Sequence, residues 1–315
     1  TELIGVSQNI RKIKKVINQV ADTELDILVC GETGVGKELV VRNLYQQSNR
    51  IDKPFIKVNC AALPDTLLES EMFGYDRGAF TGADQDKKGL LEEADNGTLL
   101  LDEVGNLPVD VQKALLRFLQ EKEFYRLGET RPTRVDVRII AATNADLKDE
   151  MEQGRFREDL FYRLAVVKLN LPPLRDRRTD IPLLAIHFID LFNRDFPTNI
   201  KGITPQAMEQ LVKHQWPGNI RELRNVIEAT MAVGSDDSRI DVDCLDRLME
   251  VKNDETPRAS DSLLEGSYSD ALAHFEHGYF VRLLSRASGN VESAANMAEL
   301  NIATLYRKIK KYHLR

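Results

Sequence analysis

Short apolar runs alternate with amphipathic segments over roughly the first half of the chain. Ile10, Ile13 and Ile17 lie on one face of a predicted helix, and a second helix is predicted from Val111 to Glu121. Ser7 can cap the first of these helices. Runs rich in Val, Ile and Leu predict buried strands at 25–29, 55–59, 98–101, 137–142 and 166–169. Alternating strands and helices indicate an α/β fold, with helices on both faces of a parallel sheet.

The pattern changes at Pro172 and Pro173. After them the spacing of apolar residues predicts only helices, first at 181–195, 205–213, 219–232 and 242–251, and then at 268–286, 290–298 and 302–312. A polar stretch that holds Pro257 and Gly266 separates the two groups and is typical of a linker. We therefore predict an α/β unit at 1–171, an all-α unit at 172–251, a linker at 252–267 and a C-terminal all-α unit at 268–315.

The composition of the 315 residues, 42% hydrophobic and 30% charged, is that of a globular protein. No apolar run approaches the roughly 18 residues that cross a bilayer, so we expect a cytoplasmic protein without a membrane partner. Cys30, Cys60 and Cys244 lack the paired spacing of a zinc site or a disulfide framework. The net charge of −7 is uneven, because residues 282–315 carry +5 and the rest −12, which favours a separate nucleic-acid-binding unit. The chain begins at Thr1 rather than Met, and a fragment lacking an N-terminal domain is expected.

A glycine-rich stretch between the first strand and the next helix carries the strongest chemical signal. It reads Cys30-Gly31-Glu32-Thr33-Gly34-Val35-Gly36-Lys37-Glu38. The glycines let backbone N–H groups turn inward on a phosphate, the helix N-terminus adds its positive dipole end, and Lys37 adds a full charge. The general pattern has Ser or Thr after the lysine to reach Mg²⁺, whereas this chain has Glu38. The stretch predicts a nucleotide site and leaves its metal contact open.

Acidic and amide side chains follow two other predicted strands. Asp102 and Glu103 end the third strand, where one acid of a P-loop enzyme reaches Mg²⁺ and a second can polarise the attacking water. Asn144 ends the fourth strand, where its amide can orient that water or sense the γ-phosphate. A plain turn residue is the alternative interpretation of this asparagine.

Three arginines allow a structural and a functional interpretation. Arg157 and Arg163 can pair with neighbouring acidic side chains on the surface, which their spacing favours, or reach the nucleotide of another subunit. Arg221 lies in the first turn of a helix, where a cation opposes the helix dipole. That cost hints at a contact between Arg221 and a phosphate.

The loop Gly78-Ala79-Phe80-Thr81-Gly82-Ala83 surrounds one aromatic ring with small residues. Phe80 either contacts a partner from a mobile tip or folds back into the core. Both interpretations are compatible with the sequence of the loop.

The last predicted helix has an apolar face formed by Ile302, Leu305 and Ile309. Its other face carries four polar or basic side chains, which are Thr304, Arg307, Lys308 and Lys311. In a helix-turn-helix, the first two would lie near base edges and the lysines near DNA phosphates. A solvated basic helix is the alternative.

Six motifs together resemble the sigma-54-dependent transcription activators of the NtrC/NifA type, also called bacterial enhancer-binding proteins, which belong to the AAA+ ATPases. They are Gly31-Glu32-Thr33-Gly34-x-Gly36-Lys37-Glu38, Glu69-Ser70-Glu71-x-Phe73-Gly74, Gly78 to Ala83, Leu101-Asp102-Glu103, Phe156-Arg157-x-Asp159-Leu160-x-Tyr162-Arg163-Leu164, and Trp216-Pro217-Gly218-Asn219-x-Arg221-Glu222-Leu223. The tail resembles the family's Fis-type helix-turn-helix. The resemblance implies an AAA+ P-loop fold with a parallel sheet, an all-α lid subdomain and a C-terminal helix-turn-helix domain.

The resemblance also implies roles for the residues around the nucleotide. These are Mg²⁺ binding for Asp102, water activation for Glu103, restraint of that glutamate for Asn59, sensor I for Asn144, arginine fingers for Arg157 and Arg163, and sensor II for Arg221. Glu38 is usual after the lysine in this family. Phe80 and Thr81 would contact sigma-54, with Glu129 to Thr133 as a neighbouring second loop.

The function that the resemblance implies is ATP-dependent activation of the sigma-54 RNA polymerase holoenzyme from enhancer DNA. The implied cofactors are ATP and Mg²⁺. Inactive forms of the family are often dimers, and active forms are rings, typically hexamers or heptamers, with ATP between subunits. The alternative is a nucleotide-responsive DNA-binding regulator at promoters that do not use sigma-54. The intact Gly78 to Ala83 loop argues against that alternative.

Overall fold

The computed structural model describes residues 3–195, 199–233, 239–246, 280, 291, 294–295 and 302–312. The chain forms two compact units, residues 1–249 and 250–315. In the described residues, no helix is both long enough and apolar enough to cross a membrane.

The larger unit is built on a sheet of five strands. The strands in the described part of the chain are β1 (Ile27–Cys30), β2 (Phe55–Asn59), β3 (Gly74–Tyr75), β4 (Lys87–Lys88), β5 (Thr98–Asp102), β6 (Glu123–Phe124), β7 (Thr133–Arg134), β8 (Arg138–Thr143) and β9 (Val167–Asn170). The sheet has the order β2-β5-β8-β1-β9, and all four pairings are parallel. The pairs β3-β4 and β6-β7 are separate two-stranded antiparallel sheets. All five strands predicted from apolar runs are confirmed, with bounds that differ by no more than two residues.

Helices cover the sheet and continue beyond it. They are α1 (Gln8–Val20), α2 (Lys37–Gln46), α3 (Asp65–Phe73), α4 (Leu90–Glu93), α5 (Val109–Glu121), α6 (Leu147–Glu152), α7 (Glu158–Leu164), α8 (Ile181–Asp195), α9 (Pro205–Lys213), α10 (Asn219–Val233) and α11 (Ile302–Tyr312). Residues 242–246 are also helical. The predicted N-cap of α1 is confirmed, since the hydroxyl of Ser7 accepts a hydrogen bond from the backbone N–H of Ile10.

Alternating side chains of the central strands enter two different cores. Leu99 and Leu101 of β5 lie in one apolar cluster, whereas Leu100 lies in the other. In β1, Leu28 faces the first cluster and Val29 the second. This period of two is the geometry of a strand buried on both faces. Each fully buried side chain of this kind stabilises the fold by about 1.5–3 kcal/mol, so the sheet is the stable platform of the unit.

The helices after β9 pack around a third apolar cluster. Trp216 is fully buried in it, and its indole N–H donates to the carbonyl of Leu211 at 2.8 Å. Asp180, which is also fully buried, ties this region to the start of α1. Its carboxylate accepts hydrogen bonds from the backbone N–H groups of Val6 and Ser7, both at 2.7 Å. The helical region and the sheet region are therefore joined through polar contacts at α1.

In the smaller unit, α11 places Leu305 and Ile309 in a buried position and exposes Arg307 and Lys311. The apolar and basic faces predicted for this helix are therefore confirmed at those four positions. The predicted linker and most of the predicted helices 268–286 and 290–298 lie outside the described residues.

Candidate nucleotide site

The glycine-rich stretch forms a tight turn between β1 and α2. Gly34 has a φ of +79°, and a Cβ on it would lie 2.3 Å from the carbonyl oxygen of Gly218. No L-residue could occupy this position without moving one of the two segments. Gly36 is the N-cap of α2, with a φ of +104°. The loop therefore needs glycine both for its backbone conformation and for its close approach to the helical region.

Lys37 is the first residue of α2 and is 8% exposed. Its ammonium donates to the backbone carbonyls of Gly31 at 2.8 Å and Glu32 at 3.4 Å. Its Nζ also lies 3.9 Å from Oε1 of Glu103. Burial lowers the pKa of Lys37, and the nearby carboxylates of Glu103 and Asp102 oppose that shift. The cation is thus held inside the loop by oxygen atoms that a phosphate group could replace.

Glu103 follows β5 in a left-handed conformation, with a φ of +56°, at the start of a short 3-10 turn. Its Oε2 accepts a hydrogen bond from the backbone N–H of Asn144 at 3.0 Å. The side-chain amide of Asn144 donates to the hydroxyl of Thr33 in the glycine-rich loop at 3.0 Å. These residues meet because β5, β8 and β1 are neighbouring parallel strands whose carboxyl ends lie at one edge of the sheet. The arrangement places one carboxylate and one amide beside the lysine.

Asp102 and Glu38 are linked by the ammonium group of Lys57. The Nζ atom lies 3.4 Å from Oδ2 of Asp102 and 3.4 Å from Oε2 of Glu38. Partial burial favours a higher pKa for Glu38, but the charges of Lys57 and Arg42 outweigh it, and the pKa is lowered. Asp102 and Glu38 thus offer two carboxylates near one point, and Mg²⁺ prefers oxygen ligands of this kind. Over the residues that the structure describes, no three or more His, Cys, Asp or Glu side chains form a cluster that could hold a metal ion without further ligands.

The helical region contacts the glycine-rich loop through Asn219, which is fully buried. Its side-chain N–H group donates to the carbonyl of Thr33 at 3.0 Å and to Oε2 of Glu32 at 3.1 Å. Its Oδ1 accepts from the backbone N–H of Leu174 at 2.7 Å. The asparagine therefore uses its side chain to join three separate segments of the chain.

Glu32 also forms an ion pair with Arg175 through two hydrogen bonds. In one of them, Nη1 of Arg175 donates to Oε2 of Glu32 at 2.9 Å. The hydrogen bond from Arg175, followed by the one from Asn219, lowers the pKa of Glu32 to about 2. Nearby, the buried guanidinium of Arg177 donates to the carbonyl of Val35 at 2.6 Å. Two arginines and one asparagine of the helical region therefore hold the phosphate-binding loop in place.

The other predicted site residues occupy defined positions. Arg221 is exposed, and its backbone N–H donates to the carbonyl of Gly34 at 3.4 Å. Arg157 forms an ion pair with Asp159, with an N–O distance of 2.7 Å. Arg163 donates to the carbonyl of Leu119 in α5 at 2.9 Å. In this single chain, both arginines of the α7 region have partners in the same subunit.

Asn59 ends β2. Its Oδ1 accepts a hydrogen bond from the backbone N–H of Ala61 at 3.0 Å. In the structure, Glu103 contacts the backbone N–H of Asn144 and the ammonium of Lys37. The family-derived role for Asn59, restraint of Glu103, stays a prediction.

The loop from Gly78 to Ala83 is closed by a backbone hydrogen bond between the N–H of Gly78 and the carbonyl of Ala83, at 2.9 Å. Phe80 is 45% exposed and meets Tyr75 edge-on, with ring centroids 4.9 Å apart. The ring of Phe80 is therefore at the surface rather than in the core. A Cβ on Gly128 would lie 2.9 Å from the Cβ of Ala79, so the second loop begins against the first.

Sequence reasoning missed Lys57, Arg175 and Arg177 as residues of the site, and it missed the side-chain contacts of Asn219. Lys57 lies on a predicted strand and Arg175 follows two prolines, and neither position carries a local signal of its target. Only long-range pairing brings them to the glycine-rich loop.

The fold and the site define a P-loop nucleotide-binding protein of the AAA+ type, with an α/β part and a helical lid. The chain belongs to the Sigma-54 interaction domain family, which matches residues 3–170. The AAA+ ATPase lid domain matches residues 175–262, and the family described as bacterial regulatory protein, Fis family, matches residues 271–312. These matches confirm the resemblance and the fold class predicted from the sequence.

Two curated relatives and one solved structure illustrate the similarity. The chain is 44% identical to regulatory protein AtoC of Escherichia coli, over 93% of this chain and 64% of AtoC. It is 38% identical to the DNA-binding transcriptional regulator NtrC of Salmonella typhimurium, over 99% of this chain and 70% of NtrC. NtrX from Brucella abortus, in a crystal structure with ADP, is 35% identical with a TM-score of 0.76, and the match covers 99% of this chain and 69% of that one.

NtrX has also been crystallised with ATP, and that structure matches this chain with a TM-score of 0.75. The chain spans about half to two-thirds of the length of the curated relatives it matches first, 54% of Escherichia coli UacR and 64% of AtoC.

Proposed function

We propose that this protein binds ATP with Mg²⁺, hydrolyses it, and uses the energy to remodel the closed promoter complex of sigma-54 RNA polymerase. The observation that carries the proposal is the convergence of Lys37, Glu103 and Asn144 on the glycine-rich loop. Membership of the Sigma-54 interaction domain family and the nucleotide complexes of NtrX support it.

A phosphate would bind to groups of the loop that now form hydrogen bonds with each other. Lys37 donates to two carbonyls of its own loop, and a phosphate would offer it charged oxygen acceptors instead. Hydrogen bonds to charged groups are about twice as strong as those between neutral groups, which favours the exchange. Arg221 adds positive charge near the same loop, since its backbone N–H donates to the carbonyl of Gly34.

Asp102 and Glu38 would hold Mg²⁺, which neutralises charge on the β- and γ-phosphate oxygens when it is bound. Glu103 would orient and polarise the attacking water, an effect of about 10²–10⁴ in rate for a general base. Both of its oxygens are now engaged, one near Lys37 and the other on the N–H of Asn144. Catalysis therefore requires Glu103 to release at least one of these partners.

Assembly into a ring would complete the site. Arg157 and Arg163 lie at or within α7, which also exposes Tyr162 by 66%. An arginine supplied by one subunit to the nucleotide of the next neutralises transition-state charge, at a typical gain of 10³ or more. We propose that Arg157 or Arg163 acts in this way in a hexameric or heptameric ring, after it leaves its partner in the free subunit.

Two surfaces would connect the ATPase to transcription. The exposed Phe80 and its neighbour Thr81 would contact sigma-54, and the loop at 129–133 would support them. The basic face of α11, with Arg307 and Lys311, would hold the protein at enhancer DNA. Thr304 and Lys308 belong to the same predicted DNA surface.

Two variants test the proposal. Lys37→Ala should lose ATP binding, because the loop then has no lysine to neutralise the phosphates. Glu103→Gln should bind ATP and assemble but turn it over at least a hundredfold more slowly. ATP binding, ATP turnover, particle size and open-complex formation with sigma-54 polymerase are measured on the same preparations. If Glu103→Gln formed open complexes with sigma-54 polymerase as well as the unchanged protein, the proposed requirement for ATP hydrolysis would be wrong.

A further inference from the structure

Lys57 occupies the position between the two carboxylates assigned to Mg²⁺. It is the third residue of β2, an edge strand of the sheet, and its backbone pairs with Leu100 of β5. Its ammonium lies 3.4 Å from one oxygen of Asp102 and 3.4 Å from one oxygen of Glu38. The site thus already contains a positive charge where a divalent cation would bind.

We propose that Lys57 is a resident counter-cation of the magnesium site, which Mg²⁺ must displace, so that this lysine sets the Mg²⁺ concentration at which the site fills. The inference rests on the proposed function, because it takes Asp102 and Glu38 to be the metal-binding carboxylates.

The ammonium of Lys57 can move away from the two carboxylates at a small cost in free energy. Its side chain is 37% exposed, so the cost of moving it into water is small. A cavity of about 320 Å³ lies beside it, lined in part by Tyr45, Phe55 and Leu100, and can receive the four-carbon stem. Apolar walls suit the methylene groups of a lysine while its charged end stays in water.

The two carboxylates differ in how much they depend on Lys57. Glu38 keeps a second partner, Arg42, at 3.1 Å. In the ion pairs of the described residues, Asp102 is paired with Lys57. Without the lysine, Asp102 would lose this ion pair and Glu38 would keep only Arg42, so the two carboxylates would carry more unbalanced negative charge, which raises their affinity for a cation.

The experiment measures Mn²⁺ binding to the full chain, by the loss of the free-ion paramagnetic resonance signal, with a non-hydrolysable ATP analogue bound. Lys57→Met and Lys57→Gln both remove the charge. Each surface ion pair contributes about 0.3–1 kcal/mol, so losing two should lower the Mn²⁺ dissociation constant by about threefold to thirtyfold. Lys57→Arg keeps the charge and should stay within about twofold of the unchanged protein.

Lys53→Met is the matched control, because Lys53 is exposed, precedes the same strand and carries the same charge. It should leave Mn²⁺ affinity unchanged. The proposal is overturned if both neutral variants at position 57 bind Mn²⁺ with unchanged or weaker affinity. Binding of a fluorescent ATP analogue in EDTA is measured first, since a chain that binds no ATP overturns the proposed function instead.

Discussion

Replacing Asn219 by alanine should loosen the lid from the glycine-rich loop and lower the stability of the lid. The side chain is fully buried and makes three hydrogen bonds, one of them to the carboxylate of Glu32. Alanine removes all three. It also leaves the backbone N–H of Leu174 without the acceptor that it has at 2.7 Å.

The magnitude follows from these contacts. Two hydrogen bonds between neutral groups contribute about 1 kcal/mol each, and the one to Glu32 about 1.5 kcal/mol, at the low end because that carboxylate is partly exposed. Asn219 has a φ of +54°, which asparagine tolerates and alanine adopts at a cost of about 1 kcal/mol. Partial replacement of the lost bonds by water reduces the total. We expect a loss of about 3–4 kcal/mol in the free energy of unfolding.

Trp216 provides the assay. It is the only tryptophan of the chain and is fully buried in the lid, so its fluorescence reports unfolding of that region. Urea titrations of the unchanged protein and of Asn219→Ala give the difference in free energy. ADP affinity is measured in parallel and should fall, because the loop that receives the phosphates loses its support from Asn219.

Two control variants separate the contributions. Asn193→Ala removes two hydrogen bonds to Ile200, at 2.8 and 3.0 Å, within the lid. It should cost about 1–2 kcal/mol and leave ADP affinity unchanged. Asn219→Gly restores the freedom of the backbone without restoring the hydrogen bonds. A loss below about 1 kcal/mol in Asn219→Ala, or equal effects of Asn193→Ala and Asn219→Ala on ADP affinity, would refute the reasoning.

The remaining predictions concern the loops and pH. Thr81→Ala should keep ATP turnover but lose open-complex formation, and normal activation by that variant would show that the loop has another role. The pKa of Glu32 is lowered from 4.5 to about 2, so its pair with Arg175 stabilises the fold above about pH 4.5, and this contribution is lost as pH falls toward 2. The stability difference between the unchanged protein and Glu32→Gln should therefore shrink over that pH range, as followed by Trp216 fluorescence. A difference that stays constant from pH 5 to pH 3 would contradict the assignment.

The sequence by itself determined the elements and the chemistry of the P-loop. The strands and most of the helices were predictable because their signals are local, a period of two or of about 3.6 in apolar residues. Lys37 and its glycines form one contiguous stretch that needs no knowledge of the fold. The short strands β3, β4, β6 and β7 were missed, since each has two residues and carries no periodic signal.

Only the tertiary structure decided which residues meet at that stretch. The hydrogen bond between Asn219 and Glu32 joins positions 187 residues apart. Lys57 reaches Asp102 because β2 and β5 are neighbours in the sheet, and strand order is not written in any local pattern. The sequence allowed Arg157 either to pair with a neighbouring acid or to reach the nucleotide of another subunit. In the single chain it pairs with Asp159. Such contacts depend on how distant segments pack, whereas periodicity reports only the nearest turns of the chain.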